Sequence, residues 1–179
     1  MGNKTTEILL AGFGGQGIMF MGKLLAETGL ICRKNVTWMP SYGAEVRGGT
    51  AYSMTKVSDK DIASPIVTNP DILVVMNEPS LLKYEGRLKS EGILIMNRSL
   101  IRVKPRRKDI SVVSIPMTEL ASKLGHTRYA NMIAVGALLK RSKLFSMRAV
   151  AAALREMLSN KEDLFLLNKK AIEKGYQKA

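Results

Sequence analysis

Glu7-Ile8-Leu9-Leu10-Ala11-Gly12-Phe13-Gly14-Gly15-Gln16-Gly17-Ile18-Met19-Phe20-Met21-Gly22-Lys23 decides how this chain is read. Ile8–Ala11 is a short apolar run with the character of a covered strand. From about Gly17 to Cys32 the apolar spacing is helical. Between them lies a glycine turn. Glycines let a backbone turn sharply and approach a ligand closely, and the unpaired N–H groups of the first helical turn then face an anion. Gly12, Gly14 and Gly17 satisfy G-x-G-x-x-G, a spacing that is weak evidence alone, since a plain tight turn packing helix on strand gives the same pattern. Gln16 and the Gly15 N–H, at the mouth of the turn, favour a phosphate site.

Context narrows the ligand. A dinucleotide enzyme carries an acid about 20 residues on, at the tip of the second strand, to bond the ribose. Here that tip reads Val36-Thr37-Trp38-Met39-Pro40-Ser41-Tyr42, with no acid before Glu45. A Walker loop also fails. Gly17, Gly22 and Lys23 have its spacing, but Leu24 stands where a magnesium-binding Ser or Thr belongs.

Further along, strand and helix alternate. The pattern predicts strands at Glu7–Ala11, Val36–Met39, Ala51–Val57, Ile72–Met76, Ile93–Asn97 and Ser111–Ile115. It predicts helices at Gly17–Cys32, Pro79–Lys89, Met117–Leu124, Tyr129–Arg141, Met147–Leu158 and Lys161–Lys174. Pro79 suits a first helical position, Gly92 a helix exit, and Ser146 and Asn160 N-caps. This is an α/β protein: a Rossmann-like, doubly wound sheet with helices on both faces, as a single domain over 1–179. In such sheets ligands sit beyond the carboxyl ends of the strands, where Gly12–Gly17 lies.

Apolar residues make up 46% and charged residues 24%, ordinary for a globular protein. No apolar run approaches the roughly 20 residues of a membrane span, and Met1–Thr6 lacks a signal-peptide core, so the expectation is a cytoplasmic protein without membrane contact. The one cysteine, Cys32, excludes an intrachain disulfide and a four-cysteine cluster or zinc site carried by this chain alone, and reads as core packing. Lys and Arg outnumber Asp and Glu by 28 to 15, a net +13. Such a field suits an anionic ligand or an acidic partner. The densest run, Arg102-Val103-Lys104-Pro105-Arg106-Arg107-Lys108, is read as a solvated loop between two strands, not a nucleic-acid site, since aromatic residues are not interleaved with it. Eleven methionines fit either flexible core filling or an adaptable subunit surface.

A second constellation follows the second strand: Pro40-Ser41-Tyr42-Gly43-Ala44-Glu45-Val46-Arg47-Gly48-Gly49-Thr50. Arg47 supplies a planar fork donor, and Gly48 beside it leaves its backbone N–H open, a combination that suits an anion. Ser64-Pro65 and Asn69-Pro70-Asp71 are read as turns. Asn131, in Arg128-Tyr129-Ala130-Asn131-Met132, either caps a helix or presents its amide to a ligand. His126, the only histidine, reads as a surface or capping residue. No catalytic nucleophile–base pair stands out.

Together, Gly-Phe-Gly-Gly-Gln-Gly, Pro-Ser-Tyr-Gly-Ala-Glu-Val-Arg-Gly-Gly, Ser64-Pro65, Pro70-Asp71 and Arg128-x-x-Asn131-Met132 resemble the gamma subunit of 2-oxoacid:acceptor (ferredoxin) oxidoreductases over nearly the whole chain, with the 2-oxoglutarate branch as the best match. The resemblance implies a complex that converts a 2-oxoacid and coenzyme A to acyl-CoA and carbon dioxide, passing electrons to ferredoxin or a similar acceptor. It implies alpha and beta subunits holding thiamine diphosphate and magnesium. Iron–sulfur clusters would sit on beta or on a ferredoxin-like delta subunit, and this chain would be inactive alone. It places this chain on the coenzyme A side of the site. Gly14, Gly15, Gln16 and Gly17 would cradle phosphate. Arg47, Gly48 and Asn131 would complete the pocket or a subunit contact. A homodimer is compatible with the isolated chain. The rival readings are a free-standing NADP-linked oxidoreductase, kept open by Arg47, and a basic nucleic-acid-binding module.

Overall fold

The computed structural model describes residues 5–41, 50–159 and 161–179. All six expected strands form: β1 (Thr6–Phe13), β2 (Asn35–Pro40), β3 (Thr50–Ser58), β4 (Ile72–Val75), β5 (Ile93–Asn97) and β6 (Ser111–Ile115). They make one sheet in the order β2-β3-β1-β4-β5-β6. β1, β4, β5 and β6 pair in parallel, with Ile8 opposite Ile72 and Ile72 opposite Ile93. β3 runs antiparallel to both β1 and β2. The central parallel strand β4 is apolar throughout because both of its faces are covered, and all four of its residues are buried, whereas the edge strand β6 alternates and leaves Val112 and Ser114 exposed.

The helices are α1 (Ile18–Ile31), α2 (Glu78–Tyr84), α3 (Met117–Ser122), α4 (Ala130–Ser142), α5 (Met147–Met157) and α6 (Glu162–Lys178). They cover the sheet unequally. One face carries Ile8, Leu10, Val74 and Ile95 under α1, α3, α4, α5 and α6. The other carries Leu9, Ala11, Leu73 and Leu94 under α2 and the loops around Val67 and Ile101. α1 and α2 therefore lie on opposite faces. After β1 the chain crosses toward β2, and after β4 toward β5, so the winding reverses between β1 and β4.

Boundaries shift for identifiable reasons. The Asn77 side chain accepts from the Ser80 N–H (2.9 Å) and caps α2, which puts Pro79 second in the helix. The expected Pro79–Lys89 helix ends as a 3₁₀ turn at Glu85–Arg87, and Gly92 sits in the turn before β5. Ser146 caps α5 through the Ala149 N–H, as its sequence context indicates. The expected Asn160 cap lies outside the described residues. α6 runs past Gly175 because that glycine is a contact surface: a Cβ there would collide with the Ile133 carbonyl, and one at Gly136 with the Ile172 carbonyl. α4 and α6 thus cross backbone to backbone.

The N-terminal edge of the sheet is pinned by charge. Glu7 bridges Lys56 (2.7 Å) and Lys89 (3.0 Å), while Asp71 takes Lys89 (3.0 Å) and the Glu7 N–H (2.8 Å). Burial alone would raise the Glu7 pKa, but its hydrogen bonds to the two ammonium groups outweigh this and hold it below the usual glutamate range. Lys89 is raised by Glu7 and Asp71 against its own burial. Among the described residues no helix is long and apolar enough to cross a membrane.

Candidate functional site

The reversal between β1 and β4 opens a crevice at the carboxyl ends of the strands, the position where open α/β sheets take their ligands. A cleft of about 300 Å³ lies there, lined by Gly15, Gln16, Met76, Leu100, Thr118 and the His126–Arg128 turn, with Ala130 behind it. Each wall has a local cause.

The glycine loop forms the first wall. Gly15 has φ +85° and Gly17, the N-cap of α1, has φ +73°, a region that favours glycine. A Cβ at Gly15 would meet nothing within 4 Å, so its backbone faces open space. Its N–H donates to no acceptor among the described residues. Gly17 is the opposite case: a Cβ there would overlap the Asn131 amide. Asn131 is buried in the first turn of α4, where its Oδ1 accepts from the Met132 N–H (2.8 Å). It is not the helix cap, which is Tyr129; Asn131 packs the start of α4 against the start of α1.

Gln16 fastens the loop. Its Oε1 accepts from the Phe13 N–H (2.7 Å) and the Asn77 amide (3.4 Å), and its Nε2 donates to the Met76 carbonyl (3.4 Å). Its amide is thus engaged in closing the loop onto the end of β4, while the residue still lines the cleft. Asn97, fully buried at the end of β5, does the same work for the next wall. Its Oδ1 accepts from the Met117 N–H (3.0 Å), and its Nδ2 donates to the Thr118 hydroxyl (2.9 Å). Side-chain amides therefore terminate three successive parallel strands and hold the cleft floor still. Sequence reasoning placed Gln16 but missed Asn77 and Asn97. The Asn-x-Pro-Ser sequence after an apolar strand is a cap signal that could have revealed Asn77.

The third wall is the 3₁₀ turn Thr127–Tyr129. His126 Nδ1 accepts from the Arg128 N–H (3.1 Å), so a neutral imidazole carries its proton on Nε2, and His126 is the capping residue its context suggests. The turn sets Arg128 at the cleft, its guanidinium carbon 5.8 Å from the Tyr129 ring centroid. Sequence reasoning quoted Arg128 within a motif but gave it no role; its neighbourhood supplies one, as the cation beside the open Gly15 amide.

On its other side the glycine loop borders a second, apolar hollow of about 360 Å³ formed by Phe13, Ile18, Met19, Phe20, Ser41 and Ala51. Ser41 and Thr50 flank the segment that carries Arg47 and Gly48, and Thr50 pairs with Phe13. Arg47 and Gly48 themselves lie outside the described residues. Gly22 is no phosphate-loop glycine: it gives α1 room against Ser53 and Trp38, whose indole donates to the Ser53 hydroxyl (2.9 Å).

What the cleft can do chemically is bind. It offers an unpaired backbone donor at a left-handed glycine, a guanidinium and an imidazole N–H, which suits a phosphate or pyrophosphate. It presents no nucleophile–base pair among the described residues.

Comparison with known proteins adds to this geometry. A family model described as pyruvate ferredoxin/flavodoxin oxidoreductase matches residues 7–178. The chain is 33% identical to the 2-oxoglutarate synthase subunit KorC of Methanocaldococcus jannaschii, covering 97% of this chain and 93% of that one. It is 30% identical to the ketoisovalerate oxidoreductase subunit VorA of Methanothermobacter marburgensis over 96% of its own length, but spans only 36% of that longer relative. Among solved structures, the gamma subunit of keto/oxoacid ferredoxin oxidoreductase from Geobacter sulfurreducens superposes with a TM-score of 0.85 at 28% identity, covering 97% of this chain and 98% of that one. The 2-oxoglutarate:ferredoxin oxidoreductase of Magnetococcus marinus, with 2-oxoglutarate, coenzyme A and succinyl-CoA bound, shares the fold. Its TM-score is 0.88 at 22% identity, over 98% of this chain and 31% of that one.

Proposed function

The chain belongs to the pyruvate ferredoxin/flavodoxin oxidoreductase family, and from that premise we propose that it is the gamma subunit of a cytoplasmic 2-oxoacid:ferredoxin oxidoreductase, acting on 2-oxoglutarate and supplying part of the coenzyme A site. The observation that carries the ligand assignment is the cleft at the β1–β4 reversal, which Gly15, whose N–H has no acceptor among the described residues, lines together with Arg128 and His126. The near full-length match to a 2-oxoglutarate synthase subunit supports the substrate branch.

In this reading Gly14, Gly15 and Gly17 present backbone to the coenzyme A pyrophosphate, and Gln16 holds that backbone in place through Phe13, Asn77 and Met76. Arg128 compensates phosphate charge, and Asn131 fixes the start of α4 against Gly17. Arg47 and Gly48 complete the pocket from the segment between β2 and β3, a role supported by the flanking Ser41 and Thr50 beside Phe13. Thiamine diphosphate, magnesium and the iron–sulfur clusters belong to alpha, beta and delta partners. Thiamine diphosphate supplies the decarboxylating carbanion chemistry there. This chain binds and orients the thiol substrate that receives the acyl group.

The test is a coenzyme A titration of the assembled complex. Gly15→Asp puts a carboxylate where the pyrophosphate is placed, and Arg128→Ala removes a charge-assisted bond worth about 1.5–3 kcal/mol, a ten- to hundredfold loss in affinity. Both should raise the KM for coenzyme A and leave decarboxylation at the thiamine intact. Unchanged coenzyme A dependence in both variants refutes the assignment. NADPH serves as the control ligand for the NADP-linked alternative.

A further inference from the structure

We propose that the loop joining β5 to β6 (residues 98–110), with the outer side of α2, docks an acidic protein surface: a partner subunit presenting carboxylates around an apolar centre. The inference rests on the reading of this chain as one subunit of a complex.

The loop connects adjacent parallel strands without a helix, yet it is firmly held. Ile101 is buried and Ile110 half-buried in the core beneath α2. Glu78 Oε2 accepts from the Arg102 N–H (3.2 Å), and the buried Glu85 accepts from the Arg107 N–H (2.8 Å). Arg107 is tied to Asp109 and to the Leu88 carbonyl, and its hydrogen bond holds Asp109 far below the usual carboxylate range. Glu78 and Glu85 are therefore engaged with backbone amides, and Asp109 with Arg107. Arg98, Arg102, Lys104, Arg106 and Lys108 are exposed and form no side-chain ion pair among the described residues.

Apolar surface accompanies this charge. Leu82 is 54% exposed, Leu100 44% and Val103 38%. Leu82 lies one turn beyond Glu78 on the same side of α2, and Glu78 touches the backbone next to Val103. A rigid platform of exposed aliphatic groups, ringed by exposed cations that have no ion pair among the described residues, matches an acidic, partly apolar protein face. Because the loop is already ordered, docking costs little conformational entropy. A second copy is the wrong occupant, since it would set cation against cation. Single-stranded nucleic acid lacks its stacking platform here, because the loop carries no aromatic residue. Leu100 also lines the cleft, so the docked partner reaches the rim of the ligand site.

The experiment uses the full chain co-expressed with the thiamine- and cluster-bearing subunits. The triple variant Arg102→Glu/Lys104→Glu/Arg106→Glu is compared with an equal charge reversal on α6, Lys170→Glu/Lys174→Glu/Lys178→Glu, and with Val103→Asp. Circular dichroism confirms folding of each. The expected result is at least a tenfold loss of subunit affinity in the loop variants, little change in the α6 variant, and wild-type affinity that falls with added salt. Carbodiimide coupling of the wild-type complex should join Lys104 or Lys108 to carboxylates of another subunit. Unaltered assembly of both loop variants overturns the docking surface while leaving the family role intact. Failure of the wild-type chain to assemble with any of these subunits overturns both. Cross-links only between copies of this chain, or binding of a 30-mer oligouridylate that only the loop variants lose, would overturn the proposal in favour of self-association or RNA.

Discussion

Gly15 and Gly17 sit two residues apart in the same loop, and the structure assigns their substitutions different consequences. Both have positive φ, so a side chain at either costs about 1–2 kcal/mol of backbone strain. At Gly15 nothing else is added, because the space around a new Cβ is open. At Gly17 the new methyl runs into the buried Asn131 amide, an overpacking term of about 1–3 kcal/mol. Gly15→Ala should therefore destabilise by about 1–2 kcal/mol and Gly17→Ala by about 2–5 kcal/mol. At this chain length that corresponds to about 2–8 °C and about 4–20 °C of Tm. Urea unfolding of the purified chain reads both. The steric part is isolated by a double-mutant cycle: Asn131→Ala removes the obstacle, so the pair should be less destabilised than the sum of the singles by about 1 kcal/mol or more. Ligand binding should order the variants the other way, with Gly15→Ala impairing coenzyme A binding in the complex more than its small stability loss explains. Equal stability losses at the two glycines, or strict additivity with Asn131→Ala, would refute the loop geometry argued above.

Gly136→Ala should cost more than a typical overpacked core site, above about 3 kcal/mol, because the obstacle is the Ile172 carbonyl and not a side chain that can rotate away; thermal unfolding checks it, and a loss below about 1 kcal/mol contradicts the α4–α6 crossing. Glu7→Gln should narrow the gap to wild type as the solution is acidified. The Glu7 pKa is lowered in the fold, so its stabilisation is complete above the unfolded value near 4.5 and disappears as pH falls through the folded value; urea midpoints from pH 7 to pH 3 would show a constant gap if the network contributes nothing. Arg47→Ala should weaken coenzyme A binding about ten- to hundredfold with assembly preserved, and Arg47→Lys should rescue little if the contact needs the guanidinium fork. Loss of co-purification instead would move Arg47 to a subunit interface.

The strands were legible because each is a short apolar or alternating run between turn signals, and all six lie where the pattern places them. The long helices were legible for the same reason, and Ser146 announced its cap. What the pattern does not carry is pairing. Nothing local in Thr50–Ser58 says that this strand inserts antiparallel between β1 and β2, because strand order depends on contacts remote in sequence. The lopsided helical cover was equally hidden, since four of the six helices follow the last strand and all pack on one face. At the site, glycine spacing revealed the loop but not its two functions, one glycine facing open space and the other a buried amide. The cation at the cleft was passed over because Arg128 stands beside a more conspicuous asparagine. Only the short turn capped by His126 shows where it is held.

The inserted strand explains why the usual dinucleotide signature is broken. In that fold the second strand lies beside the first, and an acid at its tip reaches the ribose of a nucleotide seated on the glycine loop. Here β3 occupies that place, so β2 is displaced to the sheet edge, about 10 Å from β1 at two strand spacings. An acid at the tip of β2 would be one strand too far away. Among the described residues, those that border the loop on that side are Phe13, Met19, Phe20, Ser41 and Ala51, a largely apolar hollow without a carboxylate, while the cationic side is the one formed by His126 and Arg128. Among the described residues, a ligand lying across this loop meets positive charge on one flank and mostly apolar side chains on the other. That polarity fits a molecule with a phosphate head and a long, less polar arm better than one with a nucleotide at each end.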